Sequence, residues 1–294
     1  MSTRSGFVAL AGRPNAGKST LVNAIVGSKV AIVSDKPQTT RRAIRGVATR
    51  GAVQLVIVDL PGVQRPRDEL TRRMQSRVEA ELDGSDAALL VLNGEQGVGP
   101  GDRFIASLLA GSPARAAVAV NKVDRLKRMQ VVEALLAAEQ LVPGAEIFPI
   151  SARTGEGVEA LIAHLETLMP EGPFLFAPED RSDQPGAVVL AELIREQVLR
   201  RTFAEVPHAV EVQIEELERP REDLTLVKAR VWVETESQKG ILIGSGGQMI
   251  RAVGTAARKE LQRELGTQVH LDLSVRVRRG WRADERLLDR LGID

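Results

Sequence analysis

The chain contains no cysteine and no tyrosine. Without cysteine, neither a disulfide framework nor a thiolate zinc site can form. No apolar run reaches the ~18 residues that a membrane-spanning helix needs, and the first run, FVALAG, leads straight into a glycine-rich loop, so it predicts a strand and not a signal peptide. The net charge is only +1, so any basic surface has to be local. We expect a soluble cytoplasmic protein, and 294 residues are enough for two domains.

Apolar runs typical of buried strands alternate with helical patterns along the first 170 residues. The strand-like runs lie at 7–12, 53–59, 87–93, 116–121 and 145–150. Segments with helical periodicity lie at 18–27, 68–82, 126–140 and 155–169. This alternation predicts an α/β domain over 1–170, with a mostly parallel sheet and helices on both faces.

The pattern changes after a stretch that is rich in proline. Residues 170–185 contain four prolines and no periodicity, which predicts an interdomain linker over 171–185. Beyond it, over 186–294, we expect a smaller α+β domain with a tail at its end. Its predicted elements are a helix at 186–201, strands at 209–217 and 224–234, a short helix, a long helix at 248–265 and a strand at 269–278.

A glycine-rich loop, GRPNAGKST, follows the first predicted strand. Its spacing is that of a phosphate loop, in which backbone N–H groups surround a phosphate and a lysine reaches the β- and γ-phosphates. A hydroxyl in such a loop can bind Mg²⁺. The alternative is an ordinary glycine-rich turn. The predicted nucleotide-binding residues here are Gly12, Arg13, Pro14, Asn15, Ala16, Gly17, Lys18, Ser19 and Thr20.

Three further motifs follow later strands and complete a nucleotide site. Asp59, at the end of VQLVIVD, can hold a Mg²⁺-bound water, and the Gly62 N–H can meet a γ-phosphate. Asp124 can accept hydrogen bonds from guanine N1–H and its amine, whereas adenine would leave this carboxylate unpaired, so the motifs indicate GTP. Each motif alone could be an ordinary polar loop, but their order makes that reading weak. The predicted contacts are Asp59, Leu60, Pro61, Gly62, Val63, Asn121, Lys122, Val123, Asp124, Ser151, Ala152 and Arg153.

The segment SDKPQTTRR, at 34–42, lies between the phosphate loop and the second predicted strand. Pro37 and two neighbouring threonines suit a segment that becomes ordered when a threonine meets Mg²⁺ and the γ-phosphate. We predict Thr40 for this role, with Thr39 as its substitute. The predicted metal ligands are therefore Ser19, Thr40 and Asp59, and the predicted catalytic residues are Lys18, Thr40 and Gly62.

These motifs give the chain a family resemblance. GRPNAGKS, PQTTR, DLPG, NKVD and SAR resemble the nucleotide-binding elements of translation-factor-class GTPases, and the whole chain resembles the Era family of bacterial GTPases. The resemblance implies binding of GTP and GDP and the roles given above. It also implies a monomer, and a peripheral association with the cytoplasmic face of the cell membrane to which no segment of the sequence points.

One position predicts slow hydrolysis. Where Ras-like GTPases carry a glutamine that orients water, this chain has Val63, as Era-like proteins do, and an apolar side chain cannot hold water. Asn15 stands where some related GTPases bind potassium, so we predict that K⁺ offsets the charge developing between the β- and γ-phosphates. The alternative for Asn15 is a hydrogen bond within its own loop.

The second domain contains a G-x-x-G loop, GSGG, between its short and long predicted helices. Such a loop lets a nucleic-acid backbone approach closely, although most isolated occurrences are turns. The unit resembles a type II KH domain, and the ending RRGWRADERLLDRLG resembles the tail of Era-family proteins. The resemblance thus covers nearly the whole chain and implies that it binds the 3′ end of small-subunit ribosomal RNA and acts in 30S subunit assembly. With few aromatic residues for stacking, we expect recognition to use base edges and aliphatic grooves. Era-like loops usually carry a lysine where Ser245 stands, so we expect the arginines of the last strand to supply the missing charge, although arginines on a solvated face are commoner. The predicted RNA contacts are Gly244, Ser245, Gly246, Gly247, Arg251, Arg276 and Arg278.

Three other functions compete with a ribosome-assembly switch. A transfer-RNA-modification GTPase shares the phosphate-loop and TTR motifs, but such enzymes end in a cysteine motif, and this chain has no cysteine. A double-domain ribosome GTPase needs two phosphate loops, and this sequence has one. An RNA-binding module with a degenerate GTPase is disfavoured because Lys18, Ser19, Asp59 and Asp124 are all present.

Overall fold

The computed structural model describes residues 2–36, 38–63 and 66–293. Within them the chain forms two separate sheets, one of six strands and one of three. Pro37, which the sequence analysis assigned to the segment at 34–42, lies outside the described residues.

The six-stranded sheet is parallel except at one edge. Its strand order is β2-β3-β1-β4-β5-β6, and only β2 runs antiparallel to its neighbour, β3. The predicted mostly parallel sheet is confirmed, but β2 had not been predicted. The strands are β1 (Arg4–Ala11), β2 (Ile44–Arg50), β3 (Val53–Asp59), β4 (Ala87–Asn93), β5 (Arg115–Asn121) and β6 (Glu146–Ile150).

Helices cover both faces of this sheet, as predicted. Successive side chains of β1 point to opposite faces, so Val8 and Leu10 belong to one apolar cluster and Ala9 and Ala11 to another. The first cluster is completed by α1 and α5, and the second by α2, α3 and α4. The helices are α1 (Lys18–Val26), α2 (Glu69–Asp83), α3 (Pro100–Gly111), α4 (Arg128–Leu141) and α5 (Val158–Leu168), of which α3 had not been predicted.

The second domain places its helices against a three-stranded sheet. The strand β7 (Glu211–Arg221) pairs antiparallel with β8 (Leu224–Val233), which pairs parallel with β9 (Gln268–Val277). Residues of α6 and α9 share one apolar core with these strands. The helices are α6 (Gly186–Leu199), α7 (Val206–Ala209), α8 (Glu236–Ile243), α9 (Gln248–Leu265) and α10 (Glu285–Arg290).

The proline-rich stretch before α6 is bonded to the first domain. The side-chain amide of Gln54 on β3 accepts hydrogen bonds from the N–H groups of Leu175 and Phe176 and donates to the carbonyl oxygen of Phe176. A residue pair between Gly46 and Ser182 adds a further contact. The domain boundaries at 170 and 185 stay a prediction.

A fourth apolar cluster joins the two domains. We call it the tail cluster, because it packs α2 of the first domain against the end of the chain. Trp281, which is fully buried, donates from its indole nitrogen to the carbonyl oxygen of Ala209 at 2.8 Å. The members of the tail cluster are Leu70, Met74, Trp281, Leu287, Leu288, Leu291 and Ile293. In the described part of the chain, no helix has the length and apolar character needed to cross a membrane.

Candidate functional site

The predicted nucleotide motifs meet at the carboxyl edge of the six-stranded sheet. They surround a cleft of about 450 Å³, because the parallel strands β1, β3 and β5 all end at this edge. The predicted residues that line it are Pro14, Asn15, Gly17, Lys18, Ser19, Thr20, Thr39, Thr40, Gly62, Asn121, Lys122, Asp124, Ala152 and Arg153. The other predicted nucleotide-binding residues do not line the cleft, and these are Gly12, Arg13, Ala16, Asp59, Leu60, Pro61, Val63, Val123 and Ser151.

The phosphate loop is held in a shape that depends on Gly17. This residue has φ +98°, and a Cβ atom there would overlap the side-chain amide of Asn121. That amide also donates to the carbonyl oxygen of Ala16 at 2.9 Å. Asn121 of the NKVD motif therefore packs against the phosphate loop, because its side chain occupies the space that a Cβ atom of residue 17 would need.

Lys18 lies inside the loop with its ammonium group directed at the loop backbone. Its Nζ donates to the carbonyl oxygens of Gly12 at 3.0 Å and Arg13 at 3.2 Å. Burial lowers the pKa of Lys18 to about 8, although the nearby carboxylate of Asp59 acts in the opposite direction. A phosphate in the cleft would supply the negative charge that this buried ammonium group lacks.

Three oxygen-bearing side chains converge beside the phosphate loop. The Ser19 hydroxyl donates to Asp59 Oδ2 at 2.6 Å, and the Thr40 hydroxyl donates to the same oxygen at 3.1 Å. The two hydroxyl oxygens are 3.0 Å apart. Burial raises the pKa of Asp59, an effect that Lys18 and the two hydroxyls oppose.

This oxygen set fits Mg²⁺ as such ions are held beside nucleotides. Asp59 is fully buried, and its Oδ1 atom has no hydrogen-bond partner among the described residues. Within the same residues, no group of three or more His, Cys, Asp or Glu side chains could hold a metal ion. One carboxylate with two hydroxyls suits Mg²⁺, which usually takes one or two protein carboxylates and completes its octahedron with phosphate oxygens and waters.

The geometry also separates the two threonines. Thr39 donates its hydroxyl to the carbonyl oxygen of Lys36 at 2.6 Å, within its own turn. Thr40 instead faces Asp59 and Ser19. The arrangement therefore favours Thr40 over Thr39 as the metal ligand.

At the other end of the cleft, Asp124 is held by two donors. Ser151 donates from its hydroxyl to Asp124 Oδ1 at 2.7 Å, and Arg153 donates to Oδ2 at 2.6 Å. The hydrogen bond from Ser151 is the main reason that the pKa of Asp124 is lowered. Asn121 Oδ1 accepts from the N–H groups of Lys122 and Ala152 and so ties the two motifs together. The result is an oriented, ionised carboxylate that can accept two hydrogen bonds from a base.

Val63 and Asn15 occupy different environments. The Val63 side chain is buried in the apolar cluster under α2, and its N–H donates to the carbonyl oxygen of Gly12 at 3.3 Å. Asn15 has φ +62°, and its amide nitrogen donates to the carbonyl oxygen of Asp35 at 2.7 Å. The Asn15 side chain therefore bonds to the segment at 34–42 and not within its own loop.

Sequence reasoning missed Asn93. This buried residue ends β4 directly beside Asn121 in the sheet register, it lines the cleft, and its amide donates to the carbonyl oxygen of Asn15 at 3.4 Å. The signal was available, because AALLVLN ends in a polar residue at the same edge as the other motifs.

The predicted RNA surface is built around a glycine loop whose three glycines all have positive φ. Gly244 has φ +72°, and a Cβ there would come within 2.8 Å of the Met249 Cβ. Gly246 and Gly247 have φ +55° and +77°, with nothing within 4 Å of a Cβ at Gly246. Ser245 lies inside the short 3₁₀ turn between α8 and α9. The loop backbone is thus open on its outer side.

The three predicted arginines differ in their surroundings. Arg251 donates to the carbonyl oxygen of Gly246 at 2.6 Å, so it braces the glycine loop from within α9. Arg278 pairs with Asp284. Arg276 on β9 is exposed. The structure therefore brings Arg251 to the loop and leaves Arg278 partly neutralised.

Comparison with known proteins gives matches to both halves of the chain. Residues 7–122 match the family of 50S ribosome-binding GTPases, and residues 205–282 match the KH domain family. The chain is 46% identical to GTPase Era of Mycobacterium tuberculosis strain H37Ra, with 98% of each chain covered. It is 44% identical to GTPase Era of Mycobacterium sp. strain KMS, also over 98% of each.

Two solved structures cover 99% of this chain and 99% of their own, at 31% identity and a TM-score of 0.95. One is Era in complex with MgGDPNP and nucleotides 1506–1542 of 16S ribosomal RNA. The other is a variant of Aquifex aeolicus Era bound to GDP and AlF4⁻.

Proposed function

Because this chain belongs to the Era family of GTPases, we propose that it is a GTP-driven switch that binds the 3′ end of small-subunit ribosomal RNA during 30S subunit assembly. One observation carries the proposal, namely that the same chain contains two separate sites. The first is a cleft to which every guanine-nucleotide motif contributes, and the second is an open glycine loop followed by a long helix. The related Era structure with MgGDPNP and 16S ribosomal RNA supports the same pairing of ligands.

In this proposal, Lys18 and the backbone of the phosphate loop bind the β- and γ-phosphates, and the Gly62 N–H meets the γ-phosphate. Asp124 accepts hydrogen bonds from guanine, while Arg153 and Ala152 close over the base. Water then attacks the γ-phosphorus atom and yields GDP and phosphate. Hydrolysis is slow, because the buried Val63 side chain cannot orient that water.

Ser19, Thr40 and Asp59 would hold Mg²⁺, which when bound offsets the negative charge of the phosphates. The orphaned Oδ1 atom of buried Asp59 supports this assignment. We also propose that Asn15 contributes its amide oxygen to a K⁺ ion. Its amide nitrogen already reaches the Asp35 carbonyl group, so loop and segment lie close enough to share one ion.

The RNA contacts that we propose are the loop Gly244–Gly247 together with exposed Arg276, while Arg251 shapes the loop. The exposed backbone of the loop supports this, since a nucleic-acid backbone can approach it closely. The match of residues 205–282 to the KH family favours this function over a transfer-RNA-modification GTPase. Cytoplasmic location, peripheral membrane association and a monomeric state stay predictions, which vesicle flotation and light scattering would test.

The sharpest test of the nucleotide assignment is Asp124→Asn. An amide can donate a hydrogen bond where xanthine presents a carbonyl group, so preference should move from GTP to XTP, by about 10⁴-fold. Competition binding with the two nucleotides measures this. Asp35→Asn, which removes an exposed carboxylate at the phosphate end of the same cleft, is the matched control. A variant that kept its preference for GTP would show that Asp124 does not recognise the base.

A further inference from the structure

One face of α6, the first helix of the second domain, is directed at the segment that follows the phosphate loop. Glu192, Arg195 and Glu196 stand at spacings of three and four residues, so they share a side of the helix. All three are buried, and Arg195 and Glu196 are fully so. Charged side chains are rarely buried unless they are paired, which indicates that this face has specific partners.

Arg195 bonds to the backbone of Thr39, the residue before the predicted metal ligand Thr40. One terminal nitrogen of its guanidinium group donates to the carbonyl oxygen of Thr39 and also to Glu192 Oε2, the latter at 2.6 Å. Its Nε atom donates to Glu192 Oε1 at 3.1 Å. The bidentate pair with Glu192 fixes the guanidinium plane, so the donor aimed at Thr39 has one defined direction.

The carbonyl group of Thr39 belongs to the peptide unit that leads into Thr40. Because that unit is planar, the direction of its carbonyl group sets the direction in which Thr40 leaves it. On the other side of Thr40, Arg41 donates to Glu211 Oε2 at 2.7 Å and to the carbonyl oxygens of Val210 and His208 at 2.6 and 3.0 Å. Hydrogen bonds to the second domain, made by the Thr39 carbonyl group before Thr40 and by the Arg41 side chain after it, therefore fix the backbone at Thr40.

We propose that Arg195 is a positioning residue for GTP hydrolysis, which it supports by holding the Thr39 peptide so that the Thr40 hydroxyl faces Asp59 and Ser19. The inference rests on the proposed role of Thr40. It makes the GTPase site a product of both domains, since α6 lies outside the six-stranded sheet that carries every nucleotide motif. GDP lacks the γ-phosphate that Thr40 would serve, so Arg195 should matter for GTP hydrolysis and little for GDP binding.

The test is Arg195→Met in the full chain, with Arg201→Met as the matched control. Arg201 lies just after the same helix, and its side chain bonds only to Gln197 among the described residues. We expect Arg195→Met to slow single-turnover GTP hydrolysis by about 10- to 100-fold, as small displacements of positioning groups do. The Mg²⁺ concentration for half-maximal rate should rise, while GDP affinity stays within about twofold of the parent. Arg195→Lys should recover part of the rate, because an ammonium group can donate to Thr39 but cannot form the fork with Glu192.

Thr40→Ala separates this inference from the function on which it rests. If Thr40→Ala loses hydrolysis and Arg195→Met keeps the parental rate and Mg²⁺ dependence, then Arg195 does not position the site, although the proposed function stands. If Thr40→Ala hydrolyses GTP normally, the role of Thr40 itself is wrong. Should Arg195→Met fail to fold, the double variant with Glu192→Gln removes both buried charges together. It should show the same slow hydrolysis with GDP binding intact, and a normal rate would again overturn the inference.

Discussion

Replacing Glu211 by glutamine should destabilise the protein at neutral pH and do so much less in acid. Glu211 is fully buried and accepts from Arg41 at 2.7 Å and from Arg42 at 3.2 Å. Burial alone would raise the pKa of Glu211, but Arg42, Arg41 and Arg195 together lower it from 4.5 to about 2. A carboxyl group shifted by that amount gains about 3 kcal/mol in its charged form.

The sign of the pH dependence follows from the direction of this shift. Because the folded pKa lies below the unfolded one, the stabilisation is complete above pH 4.5 and is lost as the pH falls towards 2. About 2 of the 3 kcal/mol should be gone by pH 3. Glu211→Gln should therefore lower the free energy of unfolding by about 3 kcal/mol at pH 7 and by only about 1 kcal/mol at pH 3.

Urea unfolding followed by the fluorescence of Trp281 measures these values. This tryptophan is fully buried, with the Arg41 guanidinium 5.5 Å from its ring, and a Trp232→Phe background makes it the only reporter. The control is Glu216→Gln, an exposed carboxylate paired with Lys228, which should change stability by less than about 0.5 kcal/mol. A Glu211→Gln loss that is equal at pH 7 and pH 3 would refute the ion-pair reasoning and point to packing instead.

Three further predictions address the ligand sites. Gly17→Ala should abolish GTP binding in a fluorescence titration, because the added Cβ would overlap the Asn121 side chain. Gly27→Ala is the control, since Gly27 also has positive φ but nothing lies within 4 Å of its Cβ position. Equal GTP affinities of the two variants would exclude the loop as the phosphate site. Gly246→Asp should weaken RNA binding in a filter assay, whereas Gly266→Asp, at a glycine of similar φ outside the loop, should not. The RNA affinity of the parent protein should fall as the salt concentration rises. Equal RNA affinities of the two variants would show that the glycine loop is purely structural. Hydrolysis should be faster in KCl than in NaCl, and Asn15→Ala should remove the difference; equal rates in the two salts would end the potassium proposal.

The sequence predicted strands best where both faces of the strand are buried. The strands VQLVIVD and AALLVLN were predicted at the bounds that the structure has, because a sheet covered on both faces demands unbroken apolar runs. The same signal failed for IRGVATR, the edge strand β2, whose two arginines and glycine interrupt any apolar run. Helix α3 begins with proline and glycine, which are typical of turns, yet proline suits the first position of a helix.

The site was predictable to the extent that its residues form short motifs. Four of the motifs lie at the ends of strands, namely GRPNAGKS after β1, DLPG after β3, NKVD after β5 and SAR after β6, so their positions along the chain also give their positions in the fold. The contacts between the domains carry no such signal, since Arg41 and Glu211 lie 170 positions apart and neither is unusual in its own neighbourhood. Their pairing depends on how the two completed domains dock.

The tail cluster sets an order for biosynthesis. Every strand of the six-stranded sheet has been translated by residue 150, so this sheet can form on the ribosome while the rest of the chain is still being made. Yet α2, which follows the DLPG motif, buries Leu70 and Met74 against residues 281–293. The second sheet likewise needs β9, which pairs parallel with β8 and ends at residue 277. A nascent chain can thus complete the six-stranded sheet early, but α2, the helix beside the nucleotide cleft, reaches its final packing only after residues 281–293 have left the ribosome.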